Sequence, residues 1–342
     1  MDWKSLRLPR YSDYIYTSLS STSRPTLKTL LLRYKFPAIL IATVCLCLLT
    51  KLLFYVMMIN SPNLGQPVAW EEHCARHRPK NYTLINSLEP TKIFMGILTK
   101  DDTVERRSLI RKTYLRNKPP SMTFKFILGR PRKQYRTIVE TEQALYDDIV
   151  VLDIAENMNY GKTFAYLQWV NEHYVQNTSS PIDYVIKADD DAYIVLERLE
   201  EALRVIEPDH AYWGYLVGNT FMGGECYALS TDLVSWIATN PIPSRYRSGH
   251  EDSQLQKWFR WGGIDSSVSY HPENCLIYDD PESGTIYSRK FGLTPGGENQ
   301  TILIHKVRAA ERFLEAGRVL LGSQWQEPRL DVMSDIVTPT GL

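Results

Sequence analysis

Residues Tyr184 to Asp191 read Tyr-Val-Ile-Lys-Ala-Asp-Asp-Asp, an apolar run that stops at three consecutive carboxylates. Like charges at this density repel, and a fold tolerates them most readily where a cation neutralises them. The run itself predicts a strand, and Leu196, Leu199, Leu203 and Ile206 recur behind it at helical spacing. Carboxylates at such a junction lie where α/β folds bind ligands, at the carboxyl end of a strand. Oxygen-only ligands suit hard ions such as Mn²⁺ or Mg²⁺, which take one or two protein carboxylates and fill other positions from a phosphate-bearing substrate. The plain alternative is a solvated acidic turn. Two motifs that imitate such a site fail here. An EF-hand loop counted from Asp189 needs Gly where Ile194 stands, and a P-loop ending at Gly161-Lys162-Thr163 needs Gly where Glu156 stands.

The chain has 342 residues, ample length to bury a core. Its 39 basic and 39 acidic residues are unevenly placed, since residues 1–59 hold eight Lys/Arg against two Asp/Glu. The remainder is mildly acidic, which argues against nucleic acid as a partner. Phe36 to Ile59 is apolar except for Thr43, Thr50 and Lys51, and its length fits a helix spanning a bilayer. Lys51 lies late enough in the run to snorkel toward an interface. A 35-residue polar leader and the lack of a small-x-small site argue against a cleaved signal peptide. Lys4, Arg7, Arg10, Arg24, Lys28, Arg33 and Lys35 precede the run, and no basic residue follows until Arg76. Positive charge stays cytosolic, so everything beyond about residue 60 is expected to be lumenal or extracellular. Sequons at Asn81, Asn177 and Asn299 agree. Beyond the apolar run, Cys74, Cys226 and Cys275 allow one disulfide and one leftover thiol in an oxidising compartment, with the pairing open.

These features divide the chain into a cytosolic tail (1–35), a transmembrane signal-anchor (36–59), a stem (60–90), a catalytic domain (91–325) and a C-terminal tail (326–342). From Thr91 onward short β-rich runs alternate with helical ones. Lys92–Leu98, Thr123–Leu128, Asp148–Ile154 and Asp183–Lys187 read as strands. Phe164, Leu167, Val170 and Tyr174 mark a helix, Ser230 caps another over Thr231–Ala238, and Glu251 to Trp261 forms a third. Alternation of this kind predicts an α/β domain with a mostly parallel sheet covered on both faces.

A lumenal α/β domain on a single N-terminal anchor, with carboxylates at a strand end, is similar to secretory-pathway glycosyltransferases. Lys187-Ala188-Asp189-Asp190-Asp191 resembles glycosyltransferase family 31, the β-1,3-galactosyltransferase-type enzymes, and the core-1 branch in particular. Further blocks resemble that family in order: Glu105-Arg106-Arg107 through Ile110-Arg111-Lys112-Thr113-Tyr114, Phe126-Ile127-Leu128-Gly129, and Tyr160 to Thr163. After them come Gly223-Gly224-Glu225-Cys226-Tyr227-Ala228-Leu229-Ser230, then His250-Glu251-Asp252, then Ile304-His305-Lys306. The resemblance implies a GT-A (Rossmann-like) fold, a UDP-sugar donor held through Mn²⁺ or Mg²⁺, and inversion to a β-linkage. Asp189, Asp191 and His305 are the implied metal ligands, and Asp189, Asp190, Arg107 and Arg111 the implied donor-binding residues. Lys162 is expected near the site.

An inverting transfer needs one base opposite the leaving group, and Asp252 is the candidate; its plain alternative is a carboxylate favoured by a helix dipole. Galactose is the first-choice sugar and N-acetylglucosamine the next, moved to a glycan on glycoprotein or glycolipid at the Golgi membrane or in the ER. Tyr212-Trp213-Gly214-Tyr215 reaches Gly223 in fewer residues than in many family members, so the acceptor does not carry over. A catalytically inactive sugar-binding or chaperone-like relative is the rival, although Asp189–Asp191, Asp252 and His305 are all retained. A phosphatase of the Asp-x-Asp-x-Thr kind is excluded by Tyr193 at the Thr position. If the topology holds, glycosidase treatment of the expressed protein shifts its mobility through Asn81, Asn177 or Asn299, and protease added to intact microsomes spares the large domain. Digestion of that domain with no glycosidase shift would overturn it.

Overall fold

The computed structural model describes residues 39–53, 74, 89–176, 181–283 and 300–328. The chain separates into two compact units, Met1–Met58 and Ile59–Leu342. In the first, residues 39–53 form a helix that leaves Ile39, Leu40, Leu46, Leu48 and Leu52 exposed. Among the described residues no helix is long and apolar enough to cross a membrane. The remainder of the 36–59 run, most of the 60–90 stem, and Asn81, Asn177 and Asn299 lie outside the described residues.

The second unit is built on a seven-stranded sheet. Its strands are β1 (Ile93–Leu98), β2 (Met122–Arg130), β3 (Ile149–Ala155), β4 (Tyr184–Asp189), β6 (Ala211–Val217), β7 (Phe221–Ser230) and β8 (Ser269–Pro272), in the order β3-β2-β1-β4-β7-β6-β8. β3, β2, β1 and β4 run parallel, as the alternation of strands and helices predicts. β7 reverses the direction against both β4 and β6, and β8 then pairs parallel to β6. The short stretch before Gly223 is a hairpin between β6 and β7, turned by Gly218 and Asn219 at φ of 53° and 55°. Two strands of three residues, β9 (Ile277–Asp279) and β10 (Leu303–His305), join β5 (Tyr193–Ile194) in a second small sheet.

Every residue of β1 is buried, and alternate side chains serve opposite faces. Ile93, Met95 and Ile97 face a core shared with helices α1 (Val104–Lys112), α2 (Arg136–Tyr146), α4 (Leu196–Arg204) and α8 (Ala310–Leu321), and with the small sheet. Phe94 and Leu98 face a core with α3 (Lys162–Val170), α5 (Thr231–Thr239) and α7 (Glu251–Trp261). Gly96 is required on the second face, because any Cβ there would collide with the Tyr166 ring, whose hydroxyl donates to Ile186 O at 2.7 Å. Ser230 stands at the start of α5, but its hydroxyl makes no cap. It accepts from Ala211 N at 2.8 Å and secures the start of β6 instead.

Cys74 is bonded to Cys275, which lies between β8 and β9, and Cys226 is a buried thiol on β7. The bridge spans 201 residues of sequence. Replacing Cys275 by Ser should lower the unfolding free energy by about 2–5 kcal/mol, read by denaturant titration. Cys226 should not substitute for the lost partner, since its side chain is sealed in the sheet core.

Candidate functional site

The carboxyl edge of the parallel strands carries the site. Asp189 ends β4, and Asp190 and Asp191 form the turn into β5. β10 pairs antiparallel with β5 and parallel with β9, which aligns His305 with Asp279 at the strand ends. The small sheet therefore delivers a histidine to a turn more than a hundred residues earlier. His305 Nε2 lies 3.2 Å from Asp191 Oδ1 and 3.8 Å from Asp189 Oδ2. Ligand atoms of Asp189, Asp191 and His305 all fall within 4.8 Å of one another, and the three side chains are half-buried. Two carboxylates and an imidazole at this spacing fit a divalent ion that keeps open positions for other ligands. His305 Nδ1 meets Asp279 Oδ1 at 3.2 Å, and Lys306 holds the other Asp279 oxygen at 3.0 Å. A carboxylate behind a histidine fixes the tautomer and the ring orientation of a metal ligand.

Each acid in the triplet has its own support. Asp190 accepts from Thr99 Oγ1 at 2.7 Å, and burial with its acidic neighbours raises its pKa. Burial also acts upward on Asp191, but His305 and Arg308 outweigh it and hold that carboxyl at about 2. Asp189 accepts from Lys187 Nζ at 2.6 Å. Glu225, on β7, is nine-tenths buried and pushed up to about 7 by that burial. A second group, Asp209, His210 and Asp232, gathers at the start of β6 and is more exposed.

Asp252 sits in the first turn of α7, half-buried, with Oδ1 accepting from Ser253 N at 2.7 Å. The helix start stands against β7, where a Cβ added to Gly224 would come within 3.3 Å of Asp252 Cβ. Sequence reasoning picked out Asp189, Asp190, Asp191, Asp252 and His305, and the structure brings the first three together with His305. It does not bring Arg107 and Arg111 to them. Arg107 is fully buried against Glu142, with its Nη2 2.6 Å from the carboxylate. Arg111 divides between Glu142 and Asp148 at 2.7 Å each. Both guanidiniums are engaged by α2 and the start of β3, so their expected contact with donor phosphates is withdrawn. Their neighbour Arg106 is the α1 arginine that feels Asp190 and Asp191, and it donates to the carbonyls of Val307 and Arg308. Lys162 is close by, as expected, and its buried ammonium donates to Thr99 O at 2.6 Å and Glu156 at 2.7 Å.

Asp279 and Arg308 escaped the sequence reading, and Lys187 and Glu251 stood in its motif blocks without being assigned to the site. Lys187 had a signal, since a lysine in a strand of otherwise apolar residues needs a buried anion. Asp279 had none, because its three-residue strand carries no readable period.

Burial works against a charged imidazole at His305, but hydrogen bonds to Asp191 and Asp279 outweigh it and raise the group from its ordinary 6.5 to about 10. A raised value means protonation stabilises the metal-free fold fully below about pH 6.5, and the contribution disappears as pH rises through about 10. A cation held by these three residues must displace that proton to reach the lone pair. Mn²⁺ affinity should therefore climb from about pH 6 to about pH 8, with close to one proton released per ion, read by calorimetry in buffers of different ionisation enthalpy. Affinity independent of pH, without proton release, would remove His305 from the ligand set.

The galactosyltransferase family model matches residues 105–215, a stretch that runs from α1 through the triplet to β6. Beta-1,3-galactosyltransferase 6 of Mus musculus is 27% identical over 268 residues, covering 67% of this chain and 74% of that protein. Probable beta-1,3-galactosyltransferase 12 of Arabidopsis thaliana is 27% identical over 203 residues, covering 48% of this chain and 53% of its own length. Among solved structures, an active-site mutant of LgtC overlaps 69% of this chain and 98% of its own at a TM-score of 0.41 and 12% identity, a distant likeness. The ordered blocks, the family match and the named relatives point one way: the chain is similar to glycosyltransferase family 31 proteins of the β-1,3-galactosyltransferase type.

Proposed function

We propose that the protein is an inverting, metal-dependent hexosyltransferase of GT-A fold that moves galactose from UDP-galactose to a glycan hydroxyl in β-1,3 linkage. The observation that carries this reading is the meeting of Asp189, Asp191 and His305 at the end of β4, beside the helix start that bears Asp252. It acts in protein or lipid glycosylation from a type II Golgi anchor, a placement supported by the basic leader, the apolar run and the sequons.

Asp189, Asp191 and His305 would hold Mn²⁺ or Mg²⁺, which when bound neutralises charge on a diphosphate leaving group. The chain's own residues do the rest. Asp279 and Lys306 keep the His305 ring aimed at the carboxylates. Arg106 fastens the loop after β10, which keeps Arg308 beside Asp191. Asp252 takes the proton of the acceptor hydroxyl while that oxygen bonds to the anomeric carbon and the bond to UDP breaks, its electron pair leaving with the diphosphate. Attack from the face opposite the leaving group inverts the anomeric centre, so one base suffices.

The test is a panel of UDP-sugars with Mn²⁺ and simple α- and β-glycosides, applied to purified full-length protein. Transfer from UDP-galactose that stops with excess chelator and returns with Mn²⁺ supports the reading. Turnover with UDP-N-acetylglucosamine alone would replace the sugar, and failure with every donor would favour an inactive sugar-binding relative. Asp252→Asn keeps size and most hydrogen bonding, so transfer should fall about 10²–10⁴-fold while donor binding survives. Near-normal turnover with a lowered melting temperature would make Asp252 only a helix-start carboxylate.

A further inference from the structure

Lys187 points out of β4 toward α7, on the same face as Val185, and its side chain is completely buried. Its ammonium donates to Asp189 Oδ1 at 2.6 Å, to Glu251 Oε1 at 2.7 Å and to the carbonyl of Gly224. Three elements thus end on one nitrogen: the strand carrying the metal-side carboxylates, the reversed strand β7, and the first residue of α7. Glu251 is also held from behind, its Oε2 accepting from Thr163 Oγ1 at 3.1 Å at the start of α3. The slot is closed against substitution, since a Cβ on Gly224 would collide with Glu251 Oε1 and stand 3.2 Å from Lys187 Nζ. An ammonium with its three donors satisfied by two carboxylates and a carbonyl has no freedom left for a ligand. Its work is therefore on the protein's own geometry.

We infer that Lys187 is a positioning residue that sets the separation between the donor side of the site, at Asp189, and the acceptor side, at Asp252 one residue beyond Glu251. The inference rests on the transferase reading for its consequence, but the geometric link stands without it. Direct attack needs the base and the donor's reacting carbon placed together to within a fraction of an ångström, and a 1 Å misplacement costs up to about 10²-fold. Water is small and attacks from a looser range of positions, so donor hydrolysis is less sensitive to that spacing than transfer.

The experiment compares wild type with Lys187→Met in the full-length protein, measuring transfer and donor hydrolysis in parallel with Mn²⁺ and UDP-galactose. Transfer should fall by roughly 10–100-fold while hydrolysis changes by less than about threefold. Equal losses in both rates, or an unchanged ratio, overturn the inference. Because Lys187→Met strands two carboxylates, the double variant Lys187→Met/Glu251→Gln is run beside it, with the local charge relieved. It should restore the melting temperature without restoring the ratio. If neither variant folds, Lys187 is a stability element and the inference also fails. Amide exchange across residues 251–255 reads the same link with no substrate present. Lys187→Met should speed exchange there and leave α5 unchanged, and unaltered exchange over α7 overturns the proposal whatever the enzyme's activity. A wild-type protein that transfers nothing while its exchange responds in this way would instead fault the transferase reading alone.

Discussion

Asp189, Asp190 and Asp191 each lean on a different neighbour: a buried ammonium, a threonine hydroxyl, and an imidazole backed by a guanidinium. Those neighbours come from three parts of the chain, so neutralising one turn recruits much of the fold. The hydroxyl belongs to the loop after β1. The imidazole and guanidinium arrive with β10 and the residues after it. The ammonium lies two residues upstream in β4 itself and draws α7 in through Glu251. Repulsion among adjacent carboxylates is thereby turned into a set of long-range contacts. Such contacts hold the turn in shape with the protein's own groups, and a bound cation would relieve the remaining repulsion.

Support for the site extends below the residues that face it. Arg107 is buried against Glu142 and also donates to the Lys100 carbonyl and, at 3.4 Å, to Thr103 Oγ1. Thr103 and Thr99 share a hydrogen bond of 2.7 Å, and Thr99 carries Asp190. The α1 arginine thus acts through two hydroxyls on the loop that cradles the triplet. A buried ion pair contributes little net stability but is costly to break, since its partner is left as an uncompensated charge. Its value here is the fixed path of the β1–α1 loop.

The parallel half of the sheet was legible because β1 to β4 are local signals, short apolar runs separated by helical spacing. β1 was expected over Lys92–Leu98 and occurs over Ile93–Leu98; β4 extends to Asp189, so the first carboxylate is part of the strand. The reversal at β7 was not legible. Its Gly-Gly start and mixed side chains carry no direction, and direction is set by the β6 hairpin and by pairing with β4. The small sheet was invisible for the same reason, with strands of two and three residues whose meaning lies in their partners. The donor role of Arg107 and Arg111 was implied by resemblance, and a motif block does not tell what its side chains face in this chain. Glu142, 35 residues away, decides that. The disulfide could be counted from the sequence but not paired, and burial of Cys226 on β7 settles it.

The Gly223-Gly224 pair shows how a motif can be recognised before its physics is understood. Paired glycines beside an anionic cluster invite a reading as a phosphate-cradling loop, where bare backbone approaches a ligand. Here both positions lie within a strand, and the space a side chain would occupy is filled by the protein. At Gly223 that space holds the Glu225 carboxylate, and at Gly224 it holds Glu251 with Lys187 behind it. Glycine at 224 is therefore demanded by the contact between β4 and α7. The same missing Cβ that admits Glu251 lets the helix start that bears Asp252 approach β7 closely. The block is a packing slot, and its constraint comes from the residues on either side of it.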